Sequence, residues 1–310
     1  MTSPDIINID LCVCTYRRAY IADTLRSVAA LNRDAAWSIR IIVADNDKTP
    51  AAKSFIETAL KETNLDYLYI HAPEQNISIA RNACLDAAKA GLVAFIDDDE
   101  IVSPQWLTEM MGTLQTSGAD AVMGPVNAVY RASAPRWIRN SNFHSTLPVM
   151  TGGEIVTGGS GNVLMRTDSP AIAGRRFRID LGRSGGEDSE FFSAISRAGG
   201  CIAYAENAIV TEEVPDNRAT MGWLMKRRLR YGQTHGLLLL ETATFRPVTR
   251  ILHSVIAGGK VLFSLFMALF TIINPDRMRF WLLRAALHIG VILHLIGSRT
   301  VEIYGKEGQT

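Results

Sequence analysis

The chain has 310 residues, 47% of them apolar, and a formal net charge of +1. That size and composition support one large α/β domain with an appendage, with a core that needs no disulfides, and the near-zero charge excludes a whole-chain field for nucleic acid. The four cysteines, Cys12, Cys14, Cys84 and Cys201, lack zinc-type pairing, because two thiols two residues apart on a strand share one face instead of gripping an ion. They are read as reduced. The first residues lack a basic region followed by a long apolar stretch, so no secretory signal is expected and the chain is read as staying inside the cell.

From residue 6 to about 126, β-branched apolar runs alternate with helical patterns, the signature of parallel strands joined by crossover helices. The pattern predicts strands at 6–15, 40–45, 65–70, 91–97 and 121–129. It places helices at 20–32, 51–62, 77–90 and 104–117, the last with Ser103 as N-cap and Pro104 in its first turn. Two strands end in acids, Asp45 and Asp97. In open parallel sheets, ligands gather at the carboxyl ends of the strands, so a site is expected there. From 130 to 214 the periodicity weakens and glycines crowd in, as in Thr157-Gly158-Gly159-Ser160-Gly161-Asn162 and Gly182-Arg183-Ser184-Gly185-Gly186-Glu187-Asp188, which permits close ligand approach. A third region begins near Ala219 with a basic helix and ends in two apolar stretches at 251–273 and 280–296.

The run Asp97-Asp98-Asp99 closes an apolar strand. Three adjacent carboxylates repel one another unless a cation or donors absorb the charge, so one reading is a divalent metal and nucleotide site, with Asp97 and Asp99 on the same side. The other reading is an acidic turn capping the following helix. Glu187-Asp188 follows two glycines at the head of a predicted helix. A general base for a hydroxyl must be held and ionised in this way, although an acid pair can equally stabilise the helix dipole.

Five ordered motifs resemble the inverting family-2 glycosyltransferases of the GT-A fold, of the succinoglycan-type exopolysaccharide glucosyltransferases in particular. They are Val13-Cys14-Thr15-Tyr16-Arg17-Arg18, Val43-Ala44-Asp45-Asn46-Asp47, Asn76-Ile77-Ser78-Ile79-Ala80-Arg81-Asn82-Ala83, Phe95-Ile96-Asp97-Asp98-Asp99-Glu100 and Gly185-Gly186-Glu187-Asp188, joined by Arg227-Arg228 and Gly232-Gln233-Thr234-His235-Gly236. The resemblance implies a GT-A catalytic domain over 1–236, divided into a nucleotide-binding half (1–129) and an acceptor-binding half (130–236), with a membrane-associating tail over 237–310. It implies that Thr15, Tyr16, Arg17, Asp45, Asn76, Arg81, Asp97 and Asp98 bind a UDP-sugar, with Arg227 and Arg228 on its diphosphate. Asp99 would hold Mn²⁺ or Mg²⁺, and Asp188, with Glu187 beside it, would carry the base. Glucose is the implied sugar, and a polyprenyl-diphosphate-linked glycan the implied acceptor, in exopolysaccharide assembly with other polysaccharide-assembly proteins.

Relatives often carry a histidine near position 211, where this chain has Thr211 before Glu212-Glu213-Val214-Pro215. Glu212 or His235 would then replace it, unless Asp99, phosphates and water suffice. Processive relatives carry Gln-x-x-Arg-Trp. Here Arg230 is followed by Tyr231, so one sugar per encounter is expected. A nucleotidyltransferase would need a glycine-rich loop after the first strand, and residues 12–18 contain no glycine. A different UDP-hexose, or an inactive membrane-associated scaffold of the same fold, are the alternatives. The two C-terminal stretches read as interfacial helices on the cytoplasmic face of the bacterial inner membrane, as a hairpin turning at Asn274-Pro275 within the bilayer, or as packing elements.

Overall fold

A computed structural model of the chain describes residues 6–301. The strands are β1 (Ile7–Thr15), β2 (Trp37–Asp45), β3 (Asp66–His71), β4 (Leu92–Asp97), β5 (Glu100–Val102), β6 (Ala121–Met123), β7 (Val126–Tyr130), β8 (Val149–Thr151), β9 (Glu154–Thr157), β10 (Asn162–Arg166), β11 (Ile202–Tyr204) and β12 (Val210–Val214). The helices are α1 (Ile21–Ala29), α2 (Lys53–Glu62), α3 (Ile77–Ala87), α4 (Trp106–Ser117), α5 (Arg136–Arg139), α6 (Glu187–Arg197), α7 (Met221–Glu241), α8 (Arg246–Phe270) and α9 (Pro275–Leu295).

Seven strands form one sheet in the order β11-β6-β10-β4-β1-β2-β3, and β5-β12-β7 form a second. The first sheet is parallel except for β10, which runs against β4 and β6. This is the α/β, mainly parallel arrangement expected. β1 is buried on both faces: Ile9, Leu11 and Val13 enter one core while Cys12 and Cys14 enter the other with Cys84. The register sets Thr15 beside Asp45 and Cys14 beside Asp97, so the ends of three neighbouring strands arrive at one edge.

Three local expectations change. The predicted 121–129 strand divides at Gly124-Pro125, because proline has no N–H for a ladder and Gly124 lies where a Cβ would collide with the Ala208 carbonyl. Helix α4 opens at Trp106, with Ser103 accepting the Trp106 N–H through its backbone carbonyl at 2.9 Å; the Ser103 hydroxyl is not a cap. Helix α3 stops at Ala87 because the Lys89 and Ala90 N–H groups donate to the buried Asp10 carboxylate, at 2.6 and 2.9 Å, drawing the chain out of the helix.

The chain divides into two compact units. The first contains the chain up to Val129 together with Ser145–Glu213, and the second contains Tyr130–His144 together with the chain from Val214 on. This division at 213 is one of compact units, and differs in place from the catalytic-domain boundary that the resemblance implies at 236. Helix α7 belongs wholly to the second unit because its glycines admit α9: a Cβ on Gly232 would strike the Leu287 carbonyl, and one on Gly290 the Leu229 carbonyl. The segment expected as an acceptor-binding half, 130–236, is shared between the two units.

Candidate active site

The loop leaving β1 is organised by one buried carboxylate. Asp98 accepts from the Thr15 hydroxyl at 2.7 Å, from the Tyr16 N–H at 3.4 Å and from Arg18 Nη1 at 2.8 Å. Arg18 also pairs with Asp99. Burial pushes the Asp98 carboxyl up to about 7 against the pull of Arg18. Asp98 therefore faces the protein, while Asp97 and Asp99 expose 44% and 22% of their side chains. Arg17 sits at φ 55° and donates to Asp47 at 2.9 Å. The Tyr16 hydroxyl accepts from Gln75 at 2.7 Å.

Asp45 and Asn76 are more enclosed than their expected roles require. Asp45 is fully buried; one oxygen accepts from the Tyr69 hydroxyl at 2.8 Å and the other from the Asp47 N–H at 3.1 Å. Asn76 is the N-cap of α3, accepting from the Ser78 and Ile79 N–H groups and donating to the Ile179 carbonyl at 2.9 Å. Its own N–H donates to Asn46, tying the end of β2 to α3.

The acidic edge is denser than the triple Asp. Glu100 is 3% exposed and accepts from the Asp97 N–H at 2.7 Å. Burial, then the Asp97 charge, raises its carboxyl well above the usual range. Glu212 pairs in register with Glu100 across β12 and β5, and its charge acts on both Glu100 and Arg18. The antiparallel β10 brings Gly161 to the same place, where an added Cβ would collide with Glu100 and come to 3.1 Å from Asp97 Oδ2.

Helix α6 begins after Gly185 and Gly186, both in the left-handed region at φ 80° and 87°, where an L side chain is strained. This turn directs Glu187 and Asp188 differently. Glu187 is buried and its Oε1 lies 2.5 Å from Arg81 Nη1; burial, then the Asp188 charge, raises its carboxyl. Asp188 is half-buried, and its Oδ2 is 3.6 Å from where a Cβ on Gly159 would stand. Arg81 also lies 3.5 Å from Asp97 Oδ1 and feels the charge of Asp188, so one guanidinium links the end of β4 with the start of α6.

Three expected residues belong to the other unit. The Arg227 guanidinium donates to the His144 carbonyl at 2.8 Å and to the Tyr231 hydroxyl at 2.8 Å, and lies over the rings of Trp223 and Tyr231. It is an internal tie of the second unit, where a diphosphate contact was expected. Arg228 is half-buried, and burial lowers its pKa. His235 lies within α7, where burial and the charges of Lys260 and His253 hold its pKa down. Basic neighbours oppose a divalent cation, so the expected metal role does not fit His235.

The acidic edge does suit a hard cation. Its donors are all oxygens, and the charges of Asp97 and Asp99 add to burial in raising the Asp98 and Glu100 carboxyls. Among the described residues, no three His, Cys, Asp or Glu side chains form a ready cage, so water or ligand oxygens must complete any coordination. Sequence reasoning assigned no role to Arg18, Glu100, Tyr69 or Gly161. Arg18 and Glu100 each end one of the five motifs, and Gly161 lies in the glycine run at 157–162; Tyr69 carried no signal.

Residues 10–172, over half of the chain, match Glycosyl transferase family 2, a class of transferase. The chain belongs to that family. It is 48% identical over 306 residues to the succinoglycan biosynthesis protein ExoM of Rhizobium meliloti (strain 1021), covering 99% of this chain and 98% of that one. Among solved structures, the mannosyltransferase PcManGT of Pyrobaculum calidifontis, in complex with GDP-Man and Mn²⁺, superposes with a TM-score of 0.59 at 17% identity, over 93% of this chain and 89% of that one. S. aureus TarS 1-349 in complex with UDP-GlcNAc gives 0.55 at 14% identity, over 94% and 93%. These two likenesses establish the GT-A type of fold.

Proposed function

We propose that the protein is an inverting, non-processive hexosyltransferase that moves a sugar, glucose as the leading candidate, from a UDP-sugar to a lipid-linked oligosaccharide in exopolysaccharide assembly. It would work at the cytoplasmic face of the bacterial inner membrane. The observation that carries this reading is the placement of Asp188, raised on a double-glycine turn beside Gly159 and joined through Arg81 to Asp97 at the strand edge. The 48% identity to a succinoglycan biosynthesis protein supports the pathway.

In this reading the Asp188 carboxylate takes the proton of an acceptor hydroxyl as its oxygen forms a bond to the anomeric carbon of the donor. The bond from that carbon to the diphosphate breaks on the opposite face, UDP leaves, and configuration inverts. Asp97 holds the ribose and Arg81 fixes Asp97, while Thr15, Tyr16 and Arg17 line the base and phosphates. Asp45 contributes by holding Asp47 and Tyr69, and Asp98 by holding the β1 loop. Asp99, aided by Glu212, would hold Mn²⁺ or Mg²⁺ with water and phosphate oxygens; that ion supplies positive charge to the leaving diphosphate.

The deciding experiment is a panel of UDP-sugars assayed with the purified protein and lipid-linked acceptors, scored by product linkage. Transfer from one UDP-hexose with inversion supports the reading. UDP binding without transfer to any lipid-linked acceptor overturns it in favour of a scaffold.

A further inference from the structure

The second unit contains a helix whose surface is inside-out for water. On α8 the small residues Ala257, Ser264 and Ala268 are buried, while Ile251, Val255, Leu262, Phe266, Leu269 and Phe270 are each more than 60% exposed. A water-facing helix has the reverse arrangement, and an exposed apolar surface of this extent marks an interaction face. Both α8 and α9 are long and apolar enough to cross a membrane by length and composition. Charge identifies the partner. Residues 246–301 contain seven Lys or Arg against the single Asp276, although the whole chain carries only +1.

The segment Tyr130–His144 leaves the sheet unit and joins these helices. It holds Arg131, Arg136 and Arg139 with no acid, and Arg136 and Arg139 are exposed on either side of Trp137 in α5. Arg279 at the start of α9 stacks 4.8 Å from the Trp137 ring centroid, and Phe143 lies 6.2 Å from it on the segment itself. Two residues beyond Arg279, Trp281 meets Phe263 of α8 at 5.6 Å, so the basic-aromatic group is continuous with the apolar face. Tryptophan with flanking arginine suits the headgroup layer, where the ring sits between tails and water and guanidinium groups meet phosphate. The segment is pinned from behind, since the His144 carbonyl accepts from Arg227 and the His144 ring stacks on Trp223 at 5.1 Å.

We infer that Trp137, Arg136 and Arg139, with Arg279, form an anionic-phospholipid docking patch that makes the 130–144 segment part of the membrane contact together with the C-terminal helices. This inference rests on the membrane-associated reading of α8 and α9 and adds to it a second, sequence-distant contact that selects anionic lipid.

The test is flotation of the purified full chain with vesicles of phosphatidylcholine alone and of phosphatidylcholine mixed with phosphatidylglycerol. The wild type should bind the mixed vesicles more tightly. At about fivefold per basic residue near an anionic surface, Arg136→Gln with Arg139→Gln should weaken that binding about 25-fold, leaving binding to neutral vesicles and to UDP unchanged. Brominated-lipid quenching of tryptophan fluorescence should decrease in Trp137→Phe. Wild-type affinity in the double Arg variant, or unchanged quenching in Trp137→Phe, would overturn the patch. If the wild type binds neither kind of vesicle, the membrane reading itself fails. Leu262→Gln with Phe266→Gln and Leu269→Gln should remove binding to both kinds of vesicle, which separates the two contacts.

Discussion

Arg81 Nη1 lies 2.5 Å from Glu187 Oε1, joining two side chains that are 106 residues apart in sequence and each only 7% exposed. Glu187 Oε2 has no hydrogen-bond partner, so the arginine is the carboxylate's side-chain tie. Glu187→Ala is expected to cost about 3 kcal/mol in a urea titration, because it leaves the buried guanidinium only its longer contact with Asp97. Glu187→Gln keeps an acceptor and should fold. Its transfer rate should drop about tenfold as Arg81 loses its anchor, with the pH profile unmoved. A shifted basic or acidic limb would make Glu187 itself the base.

Asp188→Asn removes the proposed base without changing volume. Transfer should fall by about 10²–10⁴ while UDP affinity stays within a factor of about two, measured by calorimetry. Loss of UDP binding would assign Asp188 to the nucleotide side of the site.

Gly161 has room for hydrogen only, since an added Cβ would collide with Glu100 and approach Asp97. Gly161→Ala should lose about 1–3 kcal/mol of stability through overpacking. It should also raise the KM for the donor, because Asp97 is displaced. Unchanged thermal unfolding and KM would mean that the loop relaxes freely.

Chelation with EDTA should abolish transfer, and Mn²⁺ or Mg²⁺ should restore it. Asp99→Asn should raise the metal concentration needed for half-maximal activity by about tenfold or more, having removed a charged oxygen ligand. Full activity after exhaustive chelation would remove the ion from the mechanism.

His144 provides a pH test in the second unit. Its Nε2 lies 3.1 Å from the Arg218 carbonyl, which can only accept, so Nε2 carries the proton and Nδ1 accepts from the Tyr130 hydroxyl at 3.1 Å. Burial holds its pKa down to about 4 from the ordinary 6.5. A depressed folded value means that the stabilisation is complete above pH 6.5 and is lost as pH falls toward 4, with a slope of at most about 1.4 kcal/mol per pH unit. His144→Phe should flatten that window in thermal unfolding scans at stepped pH.

The alternating pattern of the first half was legible because the runs of β1, β2 and β4 are largely buried parallel strands, whose composition differs from that of the helices between. Asp45 and Asp97 were legible as strand-end acids, Asp99 as the last of the triple aspartate, and Asp188 as an acid behind two glycines. The shorter α3 and the divided 121–129 strand were not, because Asp10 and the Ala208 carbonyl act on them from distant positions. The second-unit assignment of Arg227 and His235 was equally hidden: a basic helix has the same sequence pattern whether its arginines meet a phosphate or a carbonyl.

Sequence alone thus determined the triple aspartate, the double-glycine turn and the family they indicate, since these are local demands for charge and backbone freedom that only certain residues meet. The tertiary structure decided which carboxylate faces where. Asp98 turns inward to Thr15 and Arg18, Glu187 is spent on Arg81, and Asp97, Asp99 and Asp188 remain toward solvent. The reason is physical: burial and a cationic partner set a carboxylate's role, and both come from residues far along the chain.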